Sequence, residues 1–255
     1  MIIMELLDAH CHLMGKKIFS QLLALRVKWK KNHIKRIINV CSTLQESETA
    51  LQVFKDYPEV INGIGKHPWK VKRSDLDEMN KFETLIASSK CKVIGEVGLD
   101  YYAIKEVEKY ELQREWFSFF IDMSNKYKKP LNIHVTGAEQ DILKLLTEKW
   151  NKAGSVNIHW YSGSLDTLEG LIELGCYFSI NPAIYYSQGH QNALQKIPIE
   201  RLLTESDGDV FYKQLNLLGE PSVIPQVLDK ICKIKKYEKE ELANLIVSNF
   251  DMYLH

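Results

Sequence analysis

The sequence predicts an α/β fold of the (β/α)8 class, the TIM barrel. Eight short apolar segments alternate with longer amphipathic or charged segments, which is the order expected of βαβ units around a parallel sheet. The chain has 255 residues, of which 45% are hydrophobic, and this length is typical of one such barrel. We therefore expect residues 1–255 to form a single TIM-barrel domain, since no linker, repeat or low-complexity tract divides them.

The eight predicted strands are short apolar runs that end at polar residues or at turn-forming residues. They are predicted over residues 3–10, 35–41, 60–66, 92–97, 131–135, 155–160, 176–181 and 201–205. Pro130 separates the longest predicted helix from the fifth strand, because proline cannot continue a helix. Gly154 and Gly175 precede the sixth and seventh strands, at positions where helix C-caps are expected.

The segments between the strands are predicted to be helices that cover the sheet. They are residues 16–31, 45–56, 75–88, 106–128, 138–150, 165–173 and 189–196, followed after the last strand by 221–235 and 238–249. Ser74 or Asp75 can cap the third of these helices, and Ser164 can cap the sixth. Residues 208–222 have no regular pattern, which predicts a long loop over the mouth of the barrel.

Composition narrows the class of protein. There are 33 Lys plus Arg and 33 Asp plus Glu residues, so the totals show no strongly basic surface, although a local patch is compatible with them. No apolar run approaches the roughly 18 residues of a membrane span, and the N-terminus lacks the basic start of a signal peptide. Five scattered cysteines without a C-x-x-C pair favour reduced thiols. We therefore expect a cytoplasmic protein that does not bind a membrane.

Six potential metal ligands lie at or near the carboxyl ends of separate predicted strands. They are His10, His12, Glu96, His134, His159 and Asp207. Each one alone has an ordinary explanation, such as a salt bridge or a hydrogen-bonded core histidine. Together they would meet at the face of a barrel that carries the active site. Imidazole and carboxylate donors suit one or two divalent metals, so the pattern predicts a metal-dependent hydrolase.

Two further acidic residues share strand faces with these ligands. Asp8 is on the same face as His10 and His12, one step deeper, where it could orient a ligand. Glu205 shares its parity with Asp207 and is predicted to lie one layer deeper, where it could support a histidine. The acidic pair could also belong to a simple polar turn.

Eight motifs occur along the chain in a characteristic order. They are Asp8–His12, Gly65–Pro68, Gly95–Tyr101, Gln113–Phe117, Pro130–His134, His159–Gly163, Glu205–Asp207 and Gly219–Pro225. This series resembles the TatD-type metal-dependent deoxyribonucleases, a family of amidohydrolase-like barrels. The resemblance covers nearly the whole chain. It implies a TIM barrel in which the same six residues hold one or two Mg²⁺, Mn²⁺ or Zn²⁺ ions.

The resemblance also implies an activity, namely hydrolysis of DNA phosphodiester bonds by a 3′–5′ exonuclease acting on single-stranded DNA. In that reaction Asp207 would accept a proton from water and Glu96 would be shared by two cations. Residues expected to contact substrate are His67, Lys66, Tyr101 and Trp160. Aromatic rings at strand ends can stack bases, and Lys66 belongs to a small basic cluster. A barrel rim and a solvated loop are the simpler interpretations of these two features.

The sequence departs from the family pattern at two places. Val135-Thr136-Gly137 follows His134 where the family has a small residue and then arginine, and Asp209 adds a negative charge after Asp207. Both changes are expected to weaken polyanion binding. They leave open a hydrolase of a small ester, amide or lactone. They also leave open a nuclease-like subunit of a multiprotein nucleic-acid processing or antiviral system, with a protein partner.

Overall fold

The computed structural model describes residues 4–255 and contains eight parallel strands that follow one another around a single sheet in chain order. Their bounds are β1 Leu6–Cys11, β2 Ile34–Asn39, β3 Val60–Ile64, β4 Val93–Asp100, β5 Leu131–Thr136, β6 Val156–His159, β7 Tyr177–Ile180 and β8 Leu202–Thr204. All eight predicted strands are present, and the predicted (β/α)8 barrel is confirmed. Residue 3, the start of the first predicted strand, lies outside the described residues.

Helices surround the sheet. They are α1 Lys16–Phe19, α2 Leu22–Lys31, α3 Leu44–Val53, α4 Met79–Ala87, α5 Glu108–Tyr127, α6 Glu139–Lys149, α7 Leu165–Leu174, α8 Gln188–Lys196, α9 Ile224–Lys235 and α10 Lys239–Leu254. The predicted helix over 16–31 is divided at Ser20 and Gln21, and α10 continues past the predicted end at residue 249. No helix within residues 4–255 has the length and apolar character needed to cross a bilayer.

Some predicted helix ends differ from the structure. The segment Arg73–Glu78 is a 3₁₀ helix that precedes α4, so neither Ser74 nor Asp75 caps an α-helix there. Ser164 does cap α7, because its Oγ accepts a hydrogen bond from the Thr167 amide at 3.2 Å. Gly175 ends α7 with a φ of +94°, whereas α6 already ends at Trp150, ahead of Gly154.

The predicted loop over residues 208–222 contains a little regular structure. Two short antiparallel strands, β9 Phe211–Tyr212 and β10 Leu217–Leu218, pair with each other, and a 3₁₀ turn follows at Pro221–Val223. Two-residue strands carry too few side chains for a period-two pattern to appear in the sequence. The hairpin lies beside the carboxyl end of β8, because the Tyr212 hydroxyl donates to the Ser206 carbonyl at 2.9 Å.

Strand β4 is longer than predicted, and this extension shapes the site. It pairs with β5 as far as Asp100 and Thr136, so it ends three residues beyond the predicted end at residue 97. Gly98 allows this pairing with a φ of +143°, and a Cβ at that position would lie 2.0 Å from the His134 carbonyl oxygen. Only glycine fits such a close approach of two strands.

The barrel closes between β1 and β8 at the same level as the predicted ligands. Thr204 Oγ1 donates to the Leu7 carbonyl at 2.8 Å, and the Asp207 amide donates to the His10 carbonyl at 3.0 Å. Asp8 Oδ1 accepts from the amides of His10 and Ser206 at 3.2 and 2.9 Å. The seam between the first and last strands is therefore held by the segments that carry three of the six ligands.

Candidate metal centre

The six predicted ligands lie in one cluster at the carboxyl ends of the strands, with Glu96 at its centre. Glu96 Oε1 is 2.9 Å from His159 Nε2 and 3.0 Å from His134 Nδ1. Glu96 Oε2 is 3.1 Å from His12 Nε2 on the opposite side. His10 Nε2 lies 4.0 Å from Glu96 and 3.6 Å from Asp207 Oδ1. The structure thus brings together side chains from five different strands or strand ends.

Glu96 is fully enclosed yet remains charged. Burial raises the pKa of this carboxyl, but hydrogen bonds from the His12 and His134 imidazoles help to hold the pKa well below its usual range. Its two oxygen atoms face two different groups of imidazoles. A carboxylate in this position can be shared by two cations.

His10 is held in one tautomer by an amide beneath it. Its Nδ1 lies 2.7 Å from Asn132 Oδ1, while Asn132 Nδ2 donates to the Ala9 carbonyl at 2.8 Å. This second bond orients the amide so that its oxygen faces the imidazole. Nδ1 of His10 therefore carries the proton, and Nε2 presents a lone pair to the centre of the cluster. Burial lowers the pKa of His10 well below its ordinary value, so the ring is neutral.

His134 is oriented by Asp100, which ends β4. Its Nε2 donates to Asp100 Oδ2 at 3.0 Å, and Trp69 Nε1 donates to the same oxygen at 2.7 Å. Asp100 Oδ1 accepts from the amides of Tyr102 and Ala103 at 2.9 and 2.7 Å. In the neutral ring the lone pair of His134 is then on Nδ1, the atom that faces Glu96 at 3.0 Å; in the absence of a cation, despite burial, the hydrogen bonds to Asp100 and Glu96 raise the pKa of His134.

His159 is supported in the same manner from below. Its Nδ1 lies 3.5 Å from Glu205 Oε1 in an ion-pair contact, and Glu205 accepts hydrogen bonds from Asn181 and Ser179. Glu205 is completely buried, one layer beneath the cluster. The imidazole therefore turns its other nitrogen, Nε2, toward Glu96 and His134.

The donor atoms fit a divalent cation. His134 Nδ1 and His159 Nε2 lie 3.2 Å apart, and their supporting carboxylates leave a lone pair on each. Two lone pairs at this distance repel unless a proton or a cation lies between them. Ligands about 2.0 Å from a tetrahedral metal are about 3.3 Å apart. His10 Nε2, which is buried without a hydrogen-bond partner among the described residues, supplies a further donor. The imidazoles favour Zn²⁺ or Mn²⁺ over Mg²⁺.

A pocket of about 1000 Å³ opens above the cluster. Its wall includes four aromatic side chains and three carboxylates outside the six predicted ligands. The aromatic residues are Trp69, Tyr102, Trp160 and Tyr186, and the three carboxylates are Glu46, Asp100 and Asp209. Trp160 adopts a φ of +45°, which is uncommon for a bulky residue and turns the chain directly after His159.

Comparison with known proteins identifies this arrangement. The family model described as TatD related DNase matches residues 7–255. The chain belongs to the TatD family. Its relatives include an uncharacterized metal-dependent hydrolase of Methanocaldococcus jannaschii, 28% identical over 95% of this chain and 94% of the relative. The metal-dependent hydrolase YcfH of Escherichia coli K12 is 26% identical over 99% and 96% of the two chains.

Solved structures show the same fold. The TatD homologue YjjV from Escherichia coli K12 superposes with a TM-score of 0.86 at 19% identity, covering 99% of this chain and 98% of that one. A TatD family hydrolase from Entamoeba histolytica gives a TM-score of 0.84 at 18% identity, covering 98% and 97%. These structures agree in fold, while the family model and the relatives named above identify this TatD protein as a metal-dependent hydrolase; the resemblance noted in its motifs is confirmed.

Two of the four predicted substrate contacts line the pocket of this TatD protein, and two do not. His67 and Trp160 are wall residues. Lys66 is turned away: its Nζ is 3% exposed and donates to Asp75 and Glu78 at 2.8 and 2.5 Å. The structure therefore does not bring Lys66 into the pocket, because its charge is already neutralised by Asp75 and Glu78 behind the pocket wall.

Tyr101 is also turned away from the pocket. Its hydroxyl donates to Asp141 Oδ2 at 2.7 Å, and its ring stacks on Tyr110 with the centroids 3.8 Å apart. The neighbouring Tyr102, which is 72% exposed, lines the pocket instead. The structure thus corrects the assignment of Tyr101 by one residue, because the chain turns directly after β4.

The sequence reasoning missed two supporting residues whose positions carried a usable signal. Asp100 is four residues after Glu96, and Asn132 is two residues before His134, so each shares strand parity with a ligand. Gln113 braces Asp100 further, because its side chain accepts from the Asp100 amide at 2.8 Å and donates to the Asp100 carbonyl at 3.1 Å. This contact gives a structural reason for the Gln113 motif.

Proposed function

We propose that this TatD-family hydrolase cleaves phosphodiester bonds of DNA, as a 3′–5′ exonuclease on single strands. The observation that carries the proposal is the convergence of the six predicted nitrogen and carboxylate ligands, of which all but the buried His10 line a large pocket with aromatic wall residues. The family model that matches residues 7–255 is named for DNase activity, which supports the same substrate. All five cysteines are free thiols, which supports a reducing compartment such as the cytoplasm.

The ligands divide into two sets around Glu96. His10, His12 and Asp207 would hold one divalent cation and His134 and His159 a second, with Glu96 shared between them. Such cations, when bound, polarise phosphoryl oxygens and lower the pKa of water to near neutrality. The protein's own part is to fix each imidazole through Asn132, Asp100 and Glu205, the contacts described above.

Asp207 and His67 are the residues placed to act on the reacting groups. The Asp207 carboxylate borders the pocket and would accept the proton of the attacking water. His67 Nδ1 accepts from the Trp69 amide at 3.2 Å, so its Nε2 carries the proton. That nitrogen lies 3.5 Å from Glu96 Oε2 and can donate to a phosphoryl oxygen bound above the cluster.

The aromatic walls suit unpaired bases. Trp69 is 54% exposed, and its ring is held by the hydrogen bond from Nε1 to Asp100. Tyr102, on the segment that follows, exposes most of its ring to the same space. Stacking of a base on a fixed aromatic face contributes about 1–3 kcal/mol regardless of sequence. A terminal nucleotide could therefore be held by its base while its phosphate reaches the cluster.

The test is cleavage of single-stranded DNA carrying a label at one end or the other. Protein stripped of metal would be supplied with Mg²⁺, Mn²⁺ or Zn²⁺ and compared with Glu96→Gln. The exposed Glu48 of α3 offers a matched control, Glu48→Gln, which should behave as the parent. Metal-dependent stepwise loss of 3′ nucleotides, abolished only by Glu96→Gln, is expected. Tight metal binding without cleavage of any DNA would refute the proposal.

A second candidate is hydrolysis of a small uncharged ester, amide or lactone, and the acidic wall of the pocket favours it. Glu46 accepts from the Ser42 amide at 2.9 Å and Asp209 from the Lys17 amide at 3.2 Å, so both carboxylates are fixed at the mouth. Lys70 is the one lysine among the pocket-lining residues of the described chain. Asp209→Asn should raise kcat/KM for an oligonucleotide several-fold and leave that of a neutral ester unchanged.

The acidic mouth also bears on the possibility of a dedicated protein partner in a nucleic-acid processing or antiviral complex. A partner would have to supply basic side chains for the nucleic-acid phosphates, because Lys70 is the one lysine that lines the pocket of the described chain. Co-purification of a basic protein that raises nuclease activity would support this role. Full activity of the isolated chain would argue against it.

A further inference from the structure

One segment of the chain has a charge quite unlike the whole. Residues 16–31, which form α1 and α2, contain six of the 33 basic residues and none of the 33 acidic ones. The nuclease proposal uses none of these side chains. A helix rich in lysine with interspersed apolar residues is a pattern typical of surfaces that meet anionic lipid.

The outward face of α2 also carries apolar side chains. Leu23 and Val27 are 73% and 69% exposed, and they lie four residues apart, so they are neighbours on the helix. Phe19 of α1, which is 42% exposed, precedes them with the same spacing. The opposite face of α2 is buried against the barrel through Leu22, Leu25 and Trp29. The exposed residues are thus not part of the core.

Lysines border this apolar strip on both sides. Leu23, Val27 and Lys31 are each four residues apart and therefore follow one another along the outward side of the helix. With a rotation of 100° per residue, Lys30 lies on one side of this row and Lys28 on the other. These three lysines are exposed, and no carboxylate of the described chain forms an ion pair with them. Their ammonium groups are therefore available to an external anion.

We propose that this outward face, formed by Phe19, Leu23, Val27, Lys28, Lys30 and Lys31, docks the protein on an anionic lipid surface. The aliphatic side chains would enter the headgroup region while the lysine ammonium groups remain at the phosphate level. Each lysine near an anionic leaflet strengthens binding by about fivefold. The docking is peripheral and needs no membrane-spanning helix, so it replaces the expectation from composition that the protein does not bind a membrane. It is independent of the proposed nuclease reaction.

Nucleic acid fits this face less well than lipid does. Phosphate contacts need no aliphatic side chains, yet Leu23 and Val27 lie in the middle of the face. In addition, α2 runs away from the pocket, from the loop at Gly15, which lines the pocket, to the start of β2 at Ile34. Lys28 is near the C-terminal end of α2 and therefore lies toward the end of the barrel opposite the pocket.

The test is co-sedimentation of the full chain with vesicles of phosphatidylcholine, with or without phosphatidylglycerol. We expect at least about tenfold stronger binding to the anionic vesicles, based on the lysine contribution. Lys28→Glu with Lys31→Glu should reduce binding about 25-fold or more. Leu23→Ser with Val27→Ser should reduce it about tenfold. The matched control, Lys81→Glu with Lys144→Glu on exposed positions of α4 and α6, should have little effect.

Several results would overturn the proposal. Equal binding to neutral and anionic vesicles would do so, as would an equal loss in the α4 and α6 control. Binding of single-stranded DNA that needs the lysines but not Leu23 and Val27 would show a nucleic-acid surface instead. A concentration-dependent dimer abolished by the serine substitutions would show a subunit interface. Thermal melts of each variant, followed by circular dichroism, verify folding. None of these measurements depends on nuclease activity, so failure of this proposal can be distinguished from failure of the proposed function.

Discussion

The substitution Asp100→Asn tests whether the metal centre depends on the tautomer of His134. Asp100 Oδ2 accepts from both His134 and Trp69, and its Oδ1 accepts from two backbone amides. Asparagine has the same shape but only one acceptor oxygen. If that oxygen keeps the backbone amides, its NH₂ group faces two N–H donors. His134 can relieve the clash only by moving its proton from Nε2 to Nδ1.

The size of the expected loss in metal affinity depends on which nitrogen of His134 becomes protonated. Nδ1 of His134 is the atom 3.0 Å from Glu96 Oε1, so a proton there would bond to Glu96 and leave no lone pair for a cation. Loss of a supporting carboxylate generally weakens metal affinity by about 10- to 100-fold, or about 1.4–2.7 kcal/mol. We expect the upper end of this range, because the substitution favours the His134 tautomer that cannot bind a cation through Nδ1, instead of only allowing both tautomers. The reverse orientation of the amide would leave two backbone donors unpaired.

The assay is competition for Zn²⁺ or Mn²⁺ between the protein and a chromophoric chelator. The affinity for the metal ion held by His134 should fall about 100-fold, while the affinity for the ion held by His10 and His12 should change little. Asp122→Asn on the exposed face of α5 is the matched control and should bind as the parent does. Unchanged affinity for both equivalents in a folded Asp100→Asn protein would refute the tautomer argument.

Three further substitutions probe stability and substrate contacts. Asn132→Leu removes the acceptor of His10 Nδ1 and the donor to the Ala9 carbonyl. The free energy of unfolding of the metal-free protein, measured in urea, should therefore fall by about 1–3 kcal/mol. Gly98→Ala places a Cβ against the His134 carbonyl at an unfavourable φ, and thermal unfolding should show a loss of about 3 kcal/mol or more. Lys66→Met breaks two ion pairs in which Lys66 is buried but Asp75 and Glu78 reach solvent, so the free energy of unfolding should fall by about 1 kcal/mol with oligonucleotide affinity unchanged.

Each of these has a matched control in the chain. Asn80→Leu, on the exposed side of α4, should leave urea unfolding nearly unchanged. Gly170→Ala in α7 meets only the flexible Leu143 side chain and removes a helix-destabilising glycine, so it should not cause a comparable loss. Lys70→Met should weaken oligonucleotide binding without loss of stability, the reverse of Lys66→Met. If Lys66→Met instead reduced affinity, our correction of its role would be wrong.

The fold and the clustering of the six predicted metal ligands were predictable because both depend on strand patterns. Eight apolar runs were visible as strands, and polar residues at their carboxyl ends were bound to meet once the sheet closed. Ends of helices were less accessible to sequence reasoning. The division of the predicted helix 16–31 and the 3₁₀ segment before α4 depend on how each piece packs, which single-chain patterns do not record.

The errors in the substrate residues share one physical cause. Lys66 was chosen for its proximity to His67 in the sequence, but neighbouring residues of an extended chain point in opposite directions. His67 faces the pocket, and Lys66 therefore faces the surrounding helices. The same reasoning separates Tyr101 from the pocket-lining Asp100. Parity, and not proximity, would have selected Asp100 and rejected Lys66.

The closure of the barrel between β1 and β8 determines when during synthesis the centre can form. Glu96, His134 and His159 lie on β4, β5 and β6, so they can meet as soon as the middle of the chain has left the ribosome. His10 and His12 are made at the start but must wait for Asp207, which follows the last strand. A nascent or truncated chain that lacks β8 is therefore unable to complete the first ligand set. The proposed reaction, which needs both sets, therefore requires that β8 and Asp207 have been synthesised and have joined the barrel.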